Sequence, residues 1–308
     1  MIGKRLNPII IREMRGRMRG NRAFVVLTVY LTLLSCLVGS MYAFIYSENA
    51  NSSYYNYNIT APNVQYGPVM GKAIFVGTTL LLLAIISLIA PAFTAGAIAG
   101  ERERKTYEIL VITPMSAGRI ILGKLGAVLT FLLLLILASL PIQSLAFLFG
   151  GVALIEMVIA AGGLLVTALA FGALGLFISS LARTTMSAII AAYSIVIPFI
   201  YGLPFVLLLV VSILSGSMVS IFDNPPLITL LLLIYGGGFL ASINPFSSAV
   251  LTGVAAADGR GYFLFKETVE QVTVWLVSPW LVYVLFYSLL AVVLILLTIR
   301  RESRIRNT

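Results

Sequence analysis

The chain has 308 residues, 60% of them apolar and only 10% charged, and its mean hydropathy is +1.06. A soluble domain carries about 25% charged and 45–50% apolar residues, so this chain lacks the polar surface for a water-soluble fold, and lipid is its expected solvent. The absence of histidine removes the commonest general base and metal ligand, and the single cysteine, Cys36, excludes an intramolecular disulfide.

The first 22 residues are basic. Asn7-Pro8 is a helix start, with an N-cap residue followed by Pro at the first helical position. Ile10, Ile11, Met14 and Met18 then share one face, while Arg12, Arg15, Arg19 and Arg22 line a neighbouring one. This pattern predicts an amphipathic helix in the headgroup layer with its basic side toward anionic lipid. Two roles fit it: a generic basic anchor, or an elbow coupling a cytoplasmic partner to the first span. Glu13 lies off the basic stripe and is available to a partner's cation.

A helix crosses about 30 Å of hydrocarbon with about 20 apolar residues. Five segments qualify clearly, at 23–46, 73–99, 121–149, 157–182 and 275–299. The first is too long for the core of a cleaved signal peptide. Cys36 falls inside it and reads as a buried small apolar residue. A sixth segment, 186–214, is interrupted by Pro198, Gly202 and Pro204. The segment 227–241 is short and holds Gly236-Gly237-Gly238, which suits a re-entrant or interfacial piece. Charge decides the count. With six spans and both ends inside, seventeen of the twenty Lys and Arg residues fall on the inner side, and only Lys72, Arg260 and Lys266 fall outside. A seventh crossing would put the tail RRESRIR outside and spoil that bias. The net charge of +9 is therefore read as a topology signal and not as a nucleic-acid footprint. The outer loop 47–72 is rich in Asn and Tyr, with two glycosylation sequons at Asn51 and Asn58.

Small residues recur at helical spacing. Ala92, Gly96 and Gly100 do so in the second span; Ala168 and Gly172 do so in the fourth, beside Gly162-Gly163 and Gly175. Such stripes let helices approach closely. No Asp, Glu, Lys or Arg lies in the middle of a proposed span, and Glu156 and Arg183 sit at the ends of the fourth. That argues against an ion-coupled carrier, which needs such groups, and suits an amphipathic or lipid-like substrate.

The segment ERERKTYEILVITPMSAGRIILGKL, residues 101–125, is the longest inner loop. Its end, GRIILGKL, is close to a nucleotide-binding P-loop. A P-loop, however, ends in Ser or Thr to hold magnesium and opens a soluble helix after a buried strand. Here that position is Leu125 and a membrane span follows. Gly118 and Gly123 instead read as a turn into the third span, with Lys124 snorkelling to the headgroups. Glu101 to Leu110 alternate in charge and predict a short surface helix; Thr113-Pro114 breaks it, and Ser116 caps the next. Two readings fit: an ordinary solvated loop, or a grip for a soluble motor domain.

Three stretches carry a family resemblance. They are NPIIIREMRGRMRGNRAF before the first span, APAFTAGAIAGERERKTYEILVITPMSAGRIILGKL, and INPFSSAV at 243–250. With the six-span plan, the chain resembles the permease subunits of type 2 ABC transporters, the NosY-like exporter branch. A Gly-Thr pair common in that family's loop is Lys105-Thr106 here. The resemblance implies one all-α transmembrane domain over 1–308, with an elbow helix at 1–22, a cytoplasmic coupling loop at 100–118 and an outer re-entrant or interfacial segment at 215–272. In the coupling loop it assigns Glu101, Arg102, Glu103, Arg104, Thr106 and Glu108 as contacts, and Thr113 and Pro114 as the turn. It assigns Arg12, Glu13, Arg15 and Arg19 to the elbow, and Asn244, Pro245 and Phe246 to the re-entrant element. It implies no catalytic or metal site in this chain, with ATP and Mg bound by separate ATPase subunits. A second permease, identical or homologous, completes the unit in a plasma (inner) membrane, both termini cytoplasmic. The alternatives are a gradient-driven carrier or channel and, less compatible with the residues present, a membrane-embedded enzyme.

Overall fold

A computed structural model describes residues 21–55, 66–108, 115–206, 233–269 and 272–307, with positions 209 and 212. The elbow residues Arg12, Glu13, Arg15 and Arg19, and Thr113 and Pro114, lie outside the described residues.

Among the described residues, six helices are long and apolar enough to cross a membrane. In chain order the described helices are α1 (Asn21–Tyr55), α2 (Tyr66–Glu103), α3 (Ala117–Phe149), α4 (Leu154–Leu181) and α5 (Thr185–Ile197). These are followed by α6 (Gly238–Ile243), α7 (Pro245–Ala257) and α8 (Pro279–Asn307). After Pro198, α5 continues as one π turn, Pro198–Gly202, and then as helix through Val206. All six expected spans are present, and α1 and α2 reach well into the expected outer loop. Lys72 consequently lies within α2 and not in a connection.

Every span is apolar all round, so packing is set by small residues and a few polar clamps rather than by amphipathic faces. The most extensive interface is between α2 and α4. It closes at Gly175, where a Cβ would meet Thr94 Oγ1 and come within 2.8 Å of the Pro91 carbonyl oxygen. The expected small-residue stripes thus serve packing in part. Gly96 and Gly100 face Thr185, whereas Gly162 and Gly163 have nothing within 4 Å of an added Cβ. The core gathers Leu82, Ile86, Leu132, Leu135, Leu164 and Tyr287 at the middle of the bundle. Tyr30 Oη donates to the Leu135 carbonyl (3.0 Å), tying α1 to α3. Tyr193 Oη donates to Leu88 O (2.9 Å), tying α5 to α2. Thr167 and Tyr283 share a hydroxyl hydrogen bond of 2.7 Å between α4 and α8.

Three expectations are corrected. Cys36 is exposed on α1 rather than buried, because α1 packs along a narrow stripe containing Tyr30 and Leu34. Gly118 and Gly123 form no turn: α3 begins at Ala117 and both lie within it. The last span begins at Pro279, not at 275, because the preceding residues form a two-stranded antiparallel hairpin, β1 (Leu264–Val269) with β2 (Val272–Val277). Thr268, Val269, Val272, Thr273, Val274 and Val277 are β-branched and favour that pleated pairing. The hairpin adds a small β element to an otherwise helical membrane fold.

Candidate functional site at the basic end of the bundle

The end of α2, the start of α3, the end of α4, the start of α5 and the end of α8 meet at one end of the bundle. Most basic residues of the described loops also gather there.

The α2 terminus is built by its backbone. Lys105 N–H donates to Arg102 O (3.1 Å) and Thr106 N–H donates to Glu101 O (2.9 Å). This pair of bonds is a Schellman cap, whose reversing residue is left-handed. Lys105 occupies that position with φ 56°, where glycine is the usual choice. Thr106 Oγ1 adds a second, longer bond to Glu101 O at 3.3 Å. Glu101, Arg102 and Glu103 are therefore the last turn of α2 rather than part of a separate surface helix, and a new helical segment starts at Tyr107.

Three of the charged loop residues are engaged within the chain. Glu101 Oε1 accepts from Lys124 Nζ at 2.8 Å, and the same ammonium donates to Ala97 O at 2.9 Å. Lys124 is only 4% exposed, so it turns into the α2–α3 interface instead of snorkelling. A buried ammonium persists only when charge-paired and hydrogen-bonded, and both conditions are met here. Arg102 is the hub. Its Nη2 lies 3.0 Å from Glu302 Oε1 on α8, and its Nη1 donates to Ser180 O (2.7 Å) and Ala182 O (3.3 Å) at the end of α4. Tyr107 donates a short hydrogen bond to the other Glu302 oxygen, and Arg102 lies 4.8 Å from the centre of its ring. Burial pushes the Tyr107 hydroxyl above its usual value, and the bond to Glu302 adds to that shift. Arg301 Nε also donates to Ser180 O, at 3.2 Å. Glu103 Oε2 accepts from the Thr185 N–H at 2.9 Å, at the first turn of α5. Ser179 Oγ accepts from the backbone N–H groups of Ile98 and Ala99, both at 2.9 Å, pinning α4 to α2.

Arg104 and Glu108, by contrast, are exposed. Ser116 caps α3, its Oγ accepting from Arg119 N–H at 3.4 Å, as its position predicts. The sequence reading missed Glu302, Tyr107, Ser180 and Thr185 as partners. One signal was available: Glu302 is the single acid in the tail RRESRIR.

Asn244, Pro245 and Phe246 form a second constellation. The helical segment Ile234–Ile243, which ends in α6, is bent by 118° against α7 at Asn244. Asn244 is fully buried and fully used. Its Oδ1 caps α7 by accepting from Phe246 N–H (3.0 Å) and Ser247 N–H (3.2 Å). Its Nδ2 donates to Phe199 O (3.0 Å) and Ile200 O (2.9 Å) in the π turn of α5. Those carbonyls need it. Pro204 has no N–H to give Ile200, and the π register sends the Leu203 N–H to Pro198 O, leaving Phe199 without a backbone donor. Pro245 takes the first helical position of α7, and Phe246 packs on Tyr201 with ring centres 5.6 Å apart.

Six apolar spans, a polar junction locking five helix ends and a sharp Asn-Pro break define a multi-pass membrane protein with one connected end. The chain belongs to the ABC-2 family of transporter proteins, whose family model matches residues 7–301, nearly its whole length. It is thus a type 2 ABC permease, the membrane component of a transporter whose family works with ATPase partners. Among curated proteins none matches the chain.

Proposed function

We propose that the chain is the permease subunit of an ATP-driven exporter, with the basic end cytoplasmic and ATP and Mg bound by soluble ATPase subunits on separate chains. The loop after α2 is the coupling element. Arg104 and Glu108, with Thr113 and Pro114, grip the ATPase, and the basic segment 1–22 with Arg12, Glu13, Arg15 and Arg19 is the elbow beside it. Glu101, Arg102, Glu103 and Thr106 contribute from behind: they hold the loop to the bundle. The observation that carries this reading is the Arg102 hub. A force on the loop acts on α2 directly, on α4 through Ser180 and Ala182, and on α8 through Glu302. A loop serving only as a connection has no need of part-buried ion pairs to α3 and α8 and of an arginine on the α4 carbonyls, since each withdrawn charge carries a desolvation cost.

Two permease chains, identical or homologous, form the working unit, and cargo of amphipathic or lipid-like character passes between them. The broken pair α6–α7 forms the outer re-entrant element, its position fixed by Asn244 on the π turn of α5. Spans apolar along their length favour such cargo over ions, which demand polar lining. The reading is tested on the assembled complex by replacing Arg104 with Ser and residues 108–115 with a flexible segment of equal length, which keeps Lys105, Thr106, Tyr107 and Ser116. The bonds of Glu101 and Arg102 to Lys124, Ser180 and Glu302 stay in place. ATPase activity is expected to become insensitive to the permease; activity unchanged from the native complex overturns the coupling role.

A further inference from the structure

At the end of the bundle opposite the Arg102 hub, a groove opens between α2, α4, α7 and the start of α8. Its lining is mostly apolar, with the charged side chains Lys72 and Glu156 among it. On α2 it is lined from Lys72 to Leu83. These positions share one helical face and span about 16 Å, close to half of the ~30 Å hydrocarbon core. The groove therefore has the length of one leaflet.

Its chemistry is graded along that length. The deep part is apolar, with Leu80, Leu83, Leu164 and Ala249 among its walls. The mouth carries Lys72 and Glu156, both half-buried, with no ion pair between them among the described residues. Tyr262 and Trp280 stand beside them, the aromatic types that settle at a membrane–water boundary. Tyr262 Oη donates to Glu156 Oε1 at 3.3 Å, and Trp280 Nε1 donates to the Tyr262 carbonyl at 2.5 Å, so the acid is held in place. Two turns below Lys72, Thr79 also lines the groove. It is 8% exposed and its Oγ1 is buried without a partner. A buried hydroxyl left unmade costs about 1–3 kcal/mol, so this donor calls for an acceptor. Thr78, its neighbour, instead bonds back to Ile74 O at 2.8 Å.

We propose that this groove binds a zwitterionic glycerophospholipid, with one acyl chain along α2 and α4. Lys72 takes the phosphate, Glu156 takes the ammonium, and the Thr79 hydroxyl donates to an ester carbonyl. A separated cation and anion at the mouth match a headgroup carrying both charges; a purely anionic headgroup would meet Glu156 as a like charge. Gly163 forms part of the wall and has nothing within 4 Å of an added Cβ, so a larger side chain placed there has room to enter the groove. The proposal rests on the membrane architecture and not on the exporter reading, so either can fail alone.

The test uses the full chain in vesicles doped with phosphatidylethanolamine or phosphatidylglycerol probes carrying a photoreactive group at the end of one acyl chain. The ethanolamine probe is expected to label near Leu83 and Leu164. Gly163→Leu fills the groove and lowers that labelling about tenfold, the effect of ~1.4 kcal/mol. Gly162→Leu, equally free of contacts but outside the groove lining, leaves it unchanged. Lys72→Gln weakens labelling without filling the groove, and Glu156→Gln raises labelling by the glycerol probe. Equal labelling of native and Gly163→Leu protein overturns the site. Equal labelling of the native protein by both probes overturns the headgroup assignment.

Discussion

Arg102 and Glu302 stand 200 positions apart in sequence and 3.0 Å apart in space. The bond joins the last turn of α2 to the last turns of α8, with the Arg102 side chain 20% exposed and that of Glu302 9%. Removing one partner strands the other, and for such half-buried charges the expected cost is about 1–3 kcal/mol. Arg102→Met and Glu302→Gln should each lower the thermal midpoint of the purified chain. The double variant should be less destabilised than the sum, because no charge is then left alone. Strict additivity would show that the two do not interact.

Asn244 and Pro204 make a sharper test. Asn244→Ala leaves the Phe199 and Ile200 carbonyls and two α7 N–H groups unpaired, and should cost about 2–4 kcal/mol. Pro204→Ala restores a backbone N–H able to serve Ile200, so it should recover about 1 kcal/mol in the Asn244→Ala background. Comparative unfolding of the single and double variants measures this. No recovery would mean that the Ile200 carbonyl does not depend on Asn244.

Gly175 and Gly162 have opposite surroundings on the same helix. Gly175→Ala drives a methyl group against Thr94 and the Pro91 backbone, and should destabilise by about 1–3 kcal/mol through overpacking. Gly162→Ala meets nothing and should stabilise by about 0.5–1 kcal/mol through helix propensity. Detergent melting curves of both variants decide the matter; a common sign would refute the α2–α4 close approach.

Lys105 holds a left-handed turn that glycine adopts without strain. Lys105→Gly should stabilise the α2 cap by about 1 kcal/mol, visible as slower amide exchange at Thr106. Faster exchange would mean that Lys105 is held there by its side chain.

Much of this architecture is legible in the sequence, for a clear reason. Spans are long and nearly uncharged, so hydropathy finds them without knowledge of packing. The Asn-Pro element at 244 is legible too, because an Asn before Pro is a helix start. Its second duty was in reach: Pro204 sits four residues after Ile200, which marks an orphaned carbonyl. Long-range polar partners were not legible. Lys124 reads as a headgroup lysine until Ala97 and Glu101 stand beside it, and Glu302 reads as one acid in a basic tail. The hairpin at 264–277 was hidden because VTVWLV is as apolar as the span it precedes. Its β-branched residues were the signal, but hydropathy weighs only their apolarity. The left-handed turn at Lys105 violates the residue preference for that position, so composition argued against it.

The central claim is that the solvent-facing side of the loop after α2 receives the ATPase while its inner side is tied to the bundle. Arg104 and Glu108 are exposed, so reversing both charges, Arg104→Glu with Glu108→Arg, should leave the chain folded in the membrane. The measurement is co-purification of this double variant with its ATPase, at matched expression and with the melting midpoint as the fold control. A native midpoint with the ATPase lost is the result the account predicts. A native midpoint with the ATPase fully retained would contradict it.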